Sequence, residues 1–324
     1  MPLFNCIFKV GIVYFNKKEP YKTPFLFYQT IMRSQGIKPK KYLGQVFLKN
    51  KRIIQKMVEA LEVKEKDLIL EIGAGKGILT ESLLLKEAKV IAVEKDPQLV
   101  NFLKNRFDNN SKLQIIQGDI RDLLNSNFQF LISKQISNHK PHRVYGPELY
   151  VVQGFKFQIP NSDYKVIGNI PYYLTSYLFR LLIDLKKKPK LVVLMVQEEV
   201  GQRIMGKPPK MNLLAVLVQT FFKPELILNV SKNNFWPKPK VDSVVIKLTP
   251  LTSPFKTKKE KEKFLNLIKA GFSQPRKLLI NNLKNKLKIS KNKLEEIFKK
   301  LNISLNSRAQ DLSLNQWFLL LNYF

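Results

Sequence analysis

The stretch DLILEIGAGKG, residues 67–77, passes from a short apolar run into Gly73, Gly75 and Gly77, spaced GxGxG. A run of this kind, bounded by glycine, reads as a strand buried on both faces. The glycines let the backbone turn tightly onto a helix N-terminus and approach a ligand closely, the usual construction of a nucleotide site in a doubly wound sheet. Working outward, similar runs lie at residues 89–93, 113–117, 165–168 and 191–196. Stretches with helical spacing at 79–85, 99–107 and 174–185 fall between most of them, and Ile53, Ile54, Met57, Val58 and Leu61 mark a helix before the first. Strands alternating with helices need crossover connections, so the pattern predicts an α/β fold whose largely parallel sheet is covered on both faces. Residues 225–230 and 243–248 are rich in β-formers and flank a Pro-punctuated loop without a helix, which predicts an antiparallel pair at one end of the sheet.

Composition narrows the class. The chain has 324 residues, 44% of them hydrophobic, enough for a sizeable core and against disorder throughout. Lys or Arg interrupts every apolar run before the ~18 residues that a bilayer span needs. Cys6 is the single cysteine, so no internal disulfide forms, and no Cys/His cluster has zinc spacing. These features predict a cytoplasmic protein with no metal and no membrane association. With 56 Lys plus Arg against 25 Asp plus Glu, the formal net charge is +31. Such an excess attracts a polyanion, and lysines scattered over the whole chain favour nucleic acid over a membrane surface.

Several segments stand apart. Residues 1–31 are aromatic and acid-poor, have no secretory cleavage site and no Arg, and read as an N-terminal extension or an early start. Residues 125–163 lack periodicity and read as a surface insertion between two strands expected to be neighbours; His139 and His142, the only histidines, sit there as ordinary loop residues. Residues 250–324 carry 16 basic and 5 acidic residues with helical spacing and no strand signal. The expected organisation is therefore the extension, a sheet domain over 32–249 and a small basic helical domain over 250–324.

Four motifs sit at the ends of consecutive strands. Gly73 and Gly75 belong to the first. Glu94 ends the second, 21 residues beyond Gly73, where a carboxylate can accept both hydroxyls of a ribose. Asp119 follows the third and can accept a hydrogen bond from an adenine amino group, although a plain turn residue fits equally well. The fourth is Gly168-Asn169-Ile170-Pro171-Tyr172-Tyr173. An aromatic amino group such as N6 of adenine is a poor nucleophile because its lone pair is delocalised into the ring. The Asn169 side-chain oxygen and the Ile170 main-chain carbonyl can accept its two N–H bonds, while Pro171 fixes the chain and removes a competing donor. Tyr172, with Phe235 opposite, offers a face on which a base stacks, although Phe235 also reads as a strand-end core residue.

Together these residues resemble the ribosomal RNA small-subunit adenine N6-dimethyltransferase family, from about Lys40 to Leu320. The resemblance includes KYLGQVFL at 41–48, the four motifs, FWPKPKVDS at 235–243, FSQPRK at 272–277 and RAQDL at 308–312. It implies a Rossmann-like class I S-adenosylmethionine-dependent methyltransferase sheet with a small C-terminal all-helical domain. It further implies an enzyme that uses S-adenosyl-L-methionine to dimethylate N6 of two adjacent adenosines near the 3′ end of small-subunit ribosomal RNA. The expected partner is that RNA or a pre-small-subunit particle, met by a monomer. On this resemblance the cofactor would touch Val46, Leu48, Gly73, Gly75, Glu94, Asp119 and Asn169. Relatives usually carry Asn where Val46 stands, so a side-chain hydrogen bond is lost there and a main-chain contact remains open. Lys238, Lys240, Arg276 and Lys277 would contact phosphates, and Pro275 replaces a residue that is often basic. Two rivals stay open on sequence: the antibiotic-resistance relative that methylates large-subunit RNA, and a non-catalytic assembly or transcription factor on the same fold.

Overall fold

The computed structural model describes residues 38–122, 163–185 and 187–324. The expected insertion, apart from Asp163, lies outside the described residues, as do both histidines, Cys6 and the N-terminal extension. Residues Lys40–Phe324 form one compact unit.

The chain enters through a two-residue strand, β1 (Phe47–Leu48), and a helix, α1 (Lys51–Ala60), capped by the Asn50 side chain. The alternation predicted from sequence follows as β2 (Leu68–Ile72), α2 (Ile78–Leu84), β3 (Lys89–Glu94), α3 (Pro97–Arg106), β4 (Leu113–Gln117) and a single turn, α4 (Ile120–Asp122). α3 begins two residues ahead of the helical spacing read at 99–107: Asp96 accepts from the Gln98 N–H, and Pro97 occupies the first helical position. Beyond the undescribed segment come β5 (Tyr164–Asn169), α5 (Thr175–Asp184), β6 (Leu191–Gln197), α6 (Glu198–Ile204), α7 (Leu213–Phe221), β7 (Phe222–Val230), β8 (Phe235–Trp236) and β9 (Ser243–Pro250).

The main sheet runs β4-β3-β2-β5-β6-β9-β7. Only β9 runs against its neighbours, and β7 pairs with it antiparallel at the edge, as expected. β4 and β5 are not neighbours: β4 is the opposite edge, and the chain crosses back to pair β5 with β2, Ile72 facing Gly168. The strand order therefore reverses at β2. That topology opens a crevice beyond the carboxyl ends of β2, β3 and β5.

Alternate residues feed two cores. Leu68, Leu70 and Ile72 of β2 face one cluster with α5, while Ile69 faces the other with Ile53, Ile54, Met57 and Val58 of α1. Burial on both faces is what a mostly apolar parallel strand achieves. A third cluster joins the helices α8 (Lys258–Gly271), α9 (Leu279–Leu287), α10 (Lys291–Lys300) and α11 (Leu314–Leu321) around Phe264, Phe298 and Trp317. Sequence periodicity does not reveal α6 or α7. In α7, LLAVLVQTF, the apolar residues leave no polar stripe because Val218 and Phe221 pack on the sheet while Ala215 and Val216 pack on the helical cluster.

The turn from β2 into α2 is tightest at Gly77, where φ is 72° and an added Cβ would stand 2.6 Å from both Leu103 and Phe107. We expect Gly77→Ala to cost about 2 kcal/mol or more, seen as a lower urea midpoint at unchanged slope. An unshifted midpoint would show that the turn accommodates a side chain.

Candidate active site

A cavity opens over the carboxyl ends of β2 to β5. It is lined by every residue of the expected cofactor set: Val46, Leu48, Gly73, Gly75, Glu94, Asp119 and Asn169. Pairing of β2 with β3 on one side and β5 on the other brings the four motifs together, although 96 residues separate Gly73 from Asn169.

Glu94, at the end of β3, is buried, and its two oxygens accept the Gly75 and Asp96 backbone N–H groups at 2.9 Å each. Burial pushes its carboxyl up, opposed by those N–H groups. Each carboxylate oxygen has two acceptor positions, so these two bonds do not exhaust them. Asp119 is differently placed. The Arg121 backbone N–H and Nε reach Oδ1 at 2.9 and 3.0 Å, while Arg121 Nη2 and Lys95 Nζ reach Oδ2 at 2.7 and 3.1 Å. Burial would raise this carboxyl, but those donors outweigh it and hold it at about 2. With four donors its acceptor positions are full, so an adenine amino group would have to displace one of them.

Sequence reasoning assigned no role to Glu71. This residue of β2 lines the cavity; its Oε2 accepts from Thr80 Oγ1 at 2.6 Å, and its buried Oε1 has no hydrogen-bond partner among the described residues. Burial pushes the carboxyl up to about 8, with Thr80 opposing and the nearby Glu94 adding to the rise. Lys76 was also given no role. Its buried ammonium lies 4.6 Å from the Phe47 ring centroid and 4.7 Å from that of Trp236, and the two rings stack at 6.2 Å. This cation–π arrangement ties the glycine loop to a small antiparallel sheet in which β1 pairs with β8.

At the end of β5, Asn169 lines the cavity and its Nδ2 donates to the Val46 carbonyl at 3.0 Å. The amide oxygen is thereby the end left to accept. The main-chain carbonyl at position 46 is thus engaged by Asn169. Pro171 lines the same cavity, whereas Ile170 is buried in the core with its N–H on the Met195 carbonyl. Tyr172 is half-buried with its hydroxyl 3.2 Å from Ser243 Oγ; the tyrosine that lines the cavity is its neighbour Tyr173, 50% exposed.

Phe235 departs from expectation. It is 2% exposed and packs with Leu48, Ile53 and Val245 rather than lining the cavity. Its pairing with Leu48 in β8 turns the ring into the core, so it presents no face to a base. Lys238, Lys240, Arg276 and Lys277 are all exposed and stand outside the cavity lining. The Arg276 carbonyl accepts from Arg308 Nε, and Asn282 holds the preceding turn through the Gly271 and Gln274 carbonyls. No cluster of metal-ligating side chains occurs among the described residues, and no described helix is long and apolar enough to cross a membrane.

Comparisons with known proteins identify the family. Residues 36–324 match the family model described as Ribosomal RNA adenine dimethylase. The chain is 32% identical over 288 residues to a Ribosomal RNA small subunit methyltransferase A of Dehalococcoides mccartyi, covering 89% of each chain. It is 33% identical over 291 residues to the protein of that name from Mycoplasma capricolum subsp. capricolum, covering 88% of this chain and 97% of the other. Among solved structures, a dimethyladenosine transferase from Plasmodium falciparum superposes with a TM-score of 0.65 at 28% identity, over 86% of this chain and 97% of that one. With the glycine turn, the carboxylates and the Asn-Ile-Pro-Tyr turn gathered on one crevice, the chain belongs to the ribosomal RNA adenine dimethylase family.

Proposed function

We propose that this enzyme dimethylates N6 of two adjacent adenosines near the 3′ end of small-subunit ribosomal RNA, with S-adenosyl-L-methionine as methyl donor, during small-subunit assembly. The observation that carries the reading is Asn169, which lines the cavity with its amide nitrogen already committed to the Val46 carbonyl. Its oxygen is then positioned to accept an N6–H bond and draw electron density toward the nitrogen. The Ile170 carbonyl accepts the second N–H, and Pro171 keeps the turn rigid.

The residues present suit such a cofactor. Glu71 offers a buried carboxyl oxygen with no partner among the described residues, and a cationic ligand beside it would favour its ionised form; Glu94 keeps acceptor capacity for ribose hydroxyls. Ile72, Leu99 and Ile120 give the cavity apolar walls for a purine. When bound, the donor supplies an electrophilic methyl on a sulfonium. Asn169 and Ile170 would hold the accepting nitrogen toward that methyl by accepting its two N–H bonds, and the proton that the nitrogen gives up would leave to solvent. Tyr172, anchored at its hydroxyl by Ser243, serves as the stacking face for the extruded base, worth about 1 to 3 kcal/mol.

Lys238 and Lys240 of the Pro-rich loop and Arg276 and Lys277 of the helical region supply exposed positive charge to RNA phosphates. Phosphate contacts carry no sequence information, so RNA shape selects the target. The curated relatives carry small-subunit names, which supports the small-subunit target over the large-subunit rival.

Transfer of tritium from labelled S-adenosylmethionine tests this directly. We expect label on small subunits lacking the modification and none on free large-subunit RNA; label on the large RNA alone would select the rival, and label on neither would leave a binding factor. In the same assay Asn169→Ala should lower turnover by ~100-fold or more while cofactor binding is largely kept. A wild-type rate would refute its role as acceptor.

Glu71 gives a pH test. Its carboxyl titrates near 8 in the folded protein against an ordinary value of 4.5, so the folded state holds the extra proton between them. Stability from this group is present below the ordinary value and is lost as pH rises through about 8. Urea midpoints should therefore fall for the wild type relative to Glu71→Gln as pH rises from about 5 to about 8, and run parallel above. Parallel curves throughout would show that Glu71 ionises normally.

A further inference from the structure

The segment that enters the cavity is held from both ends. After the turn Lys41–Leu43, closed by Gly44 in the left-handed region, Gln45 folds its side chain back so that Oε1 accepts the Lys40 N–H at 2.8 Å. That contact leaves Nε2 to donate to Asp96 Oδ2 at 2.8 Å, while Lys40 Nζ meets Asp96 Oδ1 at 2.7 Å. Asp96 is wholly buried at the β3–α3 junction, and its N–H holds Glu94. The Lys40 and Gln45 bonds and the Gln98 N–H outweigh burial and keep its carboxyl below the usual range, so it is an ionised anchor. One residue beyond Val46, Phe47 is fixed again by pairing with Trp236. The Val46 carbonyl therefore hangs between two fixed points, and it accepts Asn169 Nδ2.

The two ends of an Asn side chain have nearly the same shape and opposite hydrogen-bonding character. Turned over, Asn169 would present N–H donors to an amino group whose N–H bonds need acceptors. Something must choose the end, and the carbonyl at 46 is the group in contact with it. We propose that Gln45, anchored by Asp96 and Lys40, is a positioning residue for methyl transfer, holding the Val46 carbonyl that sets which end of the Asn169 amide faces the substrate. The role rests on the reading of Asn169 as acceptor. It also accounts for valine at position 46, since a main-chain carbonyl does the work and a side-chain amide is not required.

A double-mutant cycle tests this, with single-turnover tritium transfer measured at saturating cofactor and RNA. If Gln45 acts through Asn169, Gln45→Leu should slow transfer about tenfold in the native background and less than about twofold in Asn169→Ala. Lys40→Met, a change at a partly exposed side chain, should show a smaller loss that vanishes in the same background. Equal fold-losses in both backgrounds would mean that the segment merely supports the fold and would overturn the proposal, as would native rates in both single variants. Wild-type protein that transfers no label to any RNA would instead overturn the functional reading itself.

Discussion

Parallel pairing of β2 with β3 on one flank and β5 on the other is the constraint from which the site follows. Because the chain leaves β2 in one direction and reaches β5 only after visiting the sheet edge, the loops after these strands part and leave room between them. Glu94 arrives from one flank and Asn169 from the other, with the glycine turn beneath. Neither residue is near the other in sequence, and only the register of three strands sets them at one mouth.

Charge is sorted by depth. The chain carries a large positive surplus, yet Glu71, Glu94, Asp96 and Asp119 all gather at or beside the cavity. Asp96 and Asp119 are held ionised by cationic neighbours, while Glu71 and Glu94 are pushed toward the protonated form by burial. Positive charge is thus carried outward while the carboxyls gather at the cavity. The cationic methyl donor and the RNA target proposed above would place those two opposite demands on one protein.

Much of this was legible in the residues. The strand runs, the GxGxG turn and Glu94 could be placed because each has a local signature. What escaped has none. β1 and β8 are two residues long, too short for alternation, so nothing local decides between the stacking and the core reading of Phe235 or pairs it with Leu48. The donors that fill Asp119 come partly from Arg121, two residues on, and partly from Lys95, and a lysine or arginine on a basic chain draws no notice. The bond between Asn169 and Val46 spans 123 residues, and one partner is a main-chain atom. The two tyrosines after Pro171 cannot be told apart by sequence, and the structure gives them different surroundings.

α7 belongs to two cores at once, one face on the sheet and the other on the helices that follow. Met211, Ala215 and Val216 therefore travel energetically with residues that come more than forty positions later. An exchange of the helical region between relatives, cut after Pro250, would leave these side chains facing a foreign helix bundle. Val218 and Phe221 of the same helix stay with the sheet, and β9 is paired to β6, so a cut upstream of Met211 would split the sheet instead; neither place separates sheet from helices cleanly.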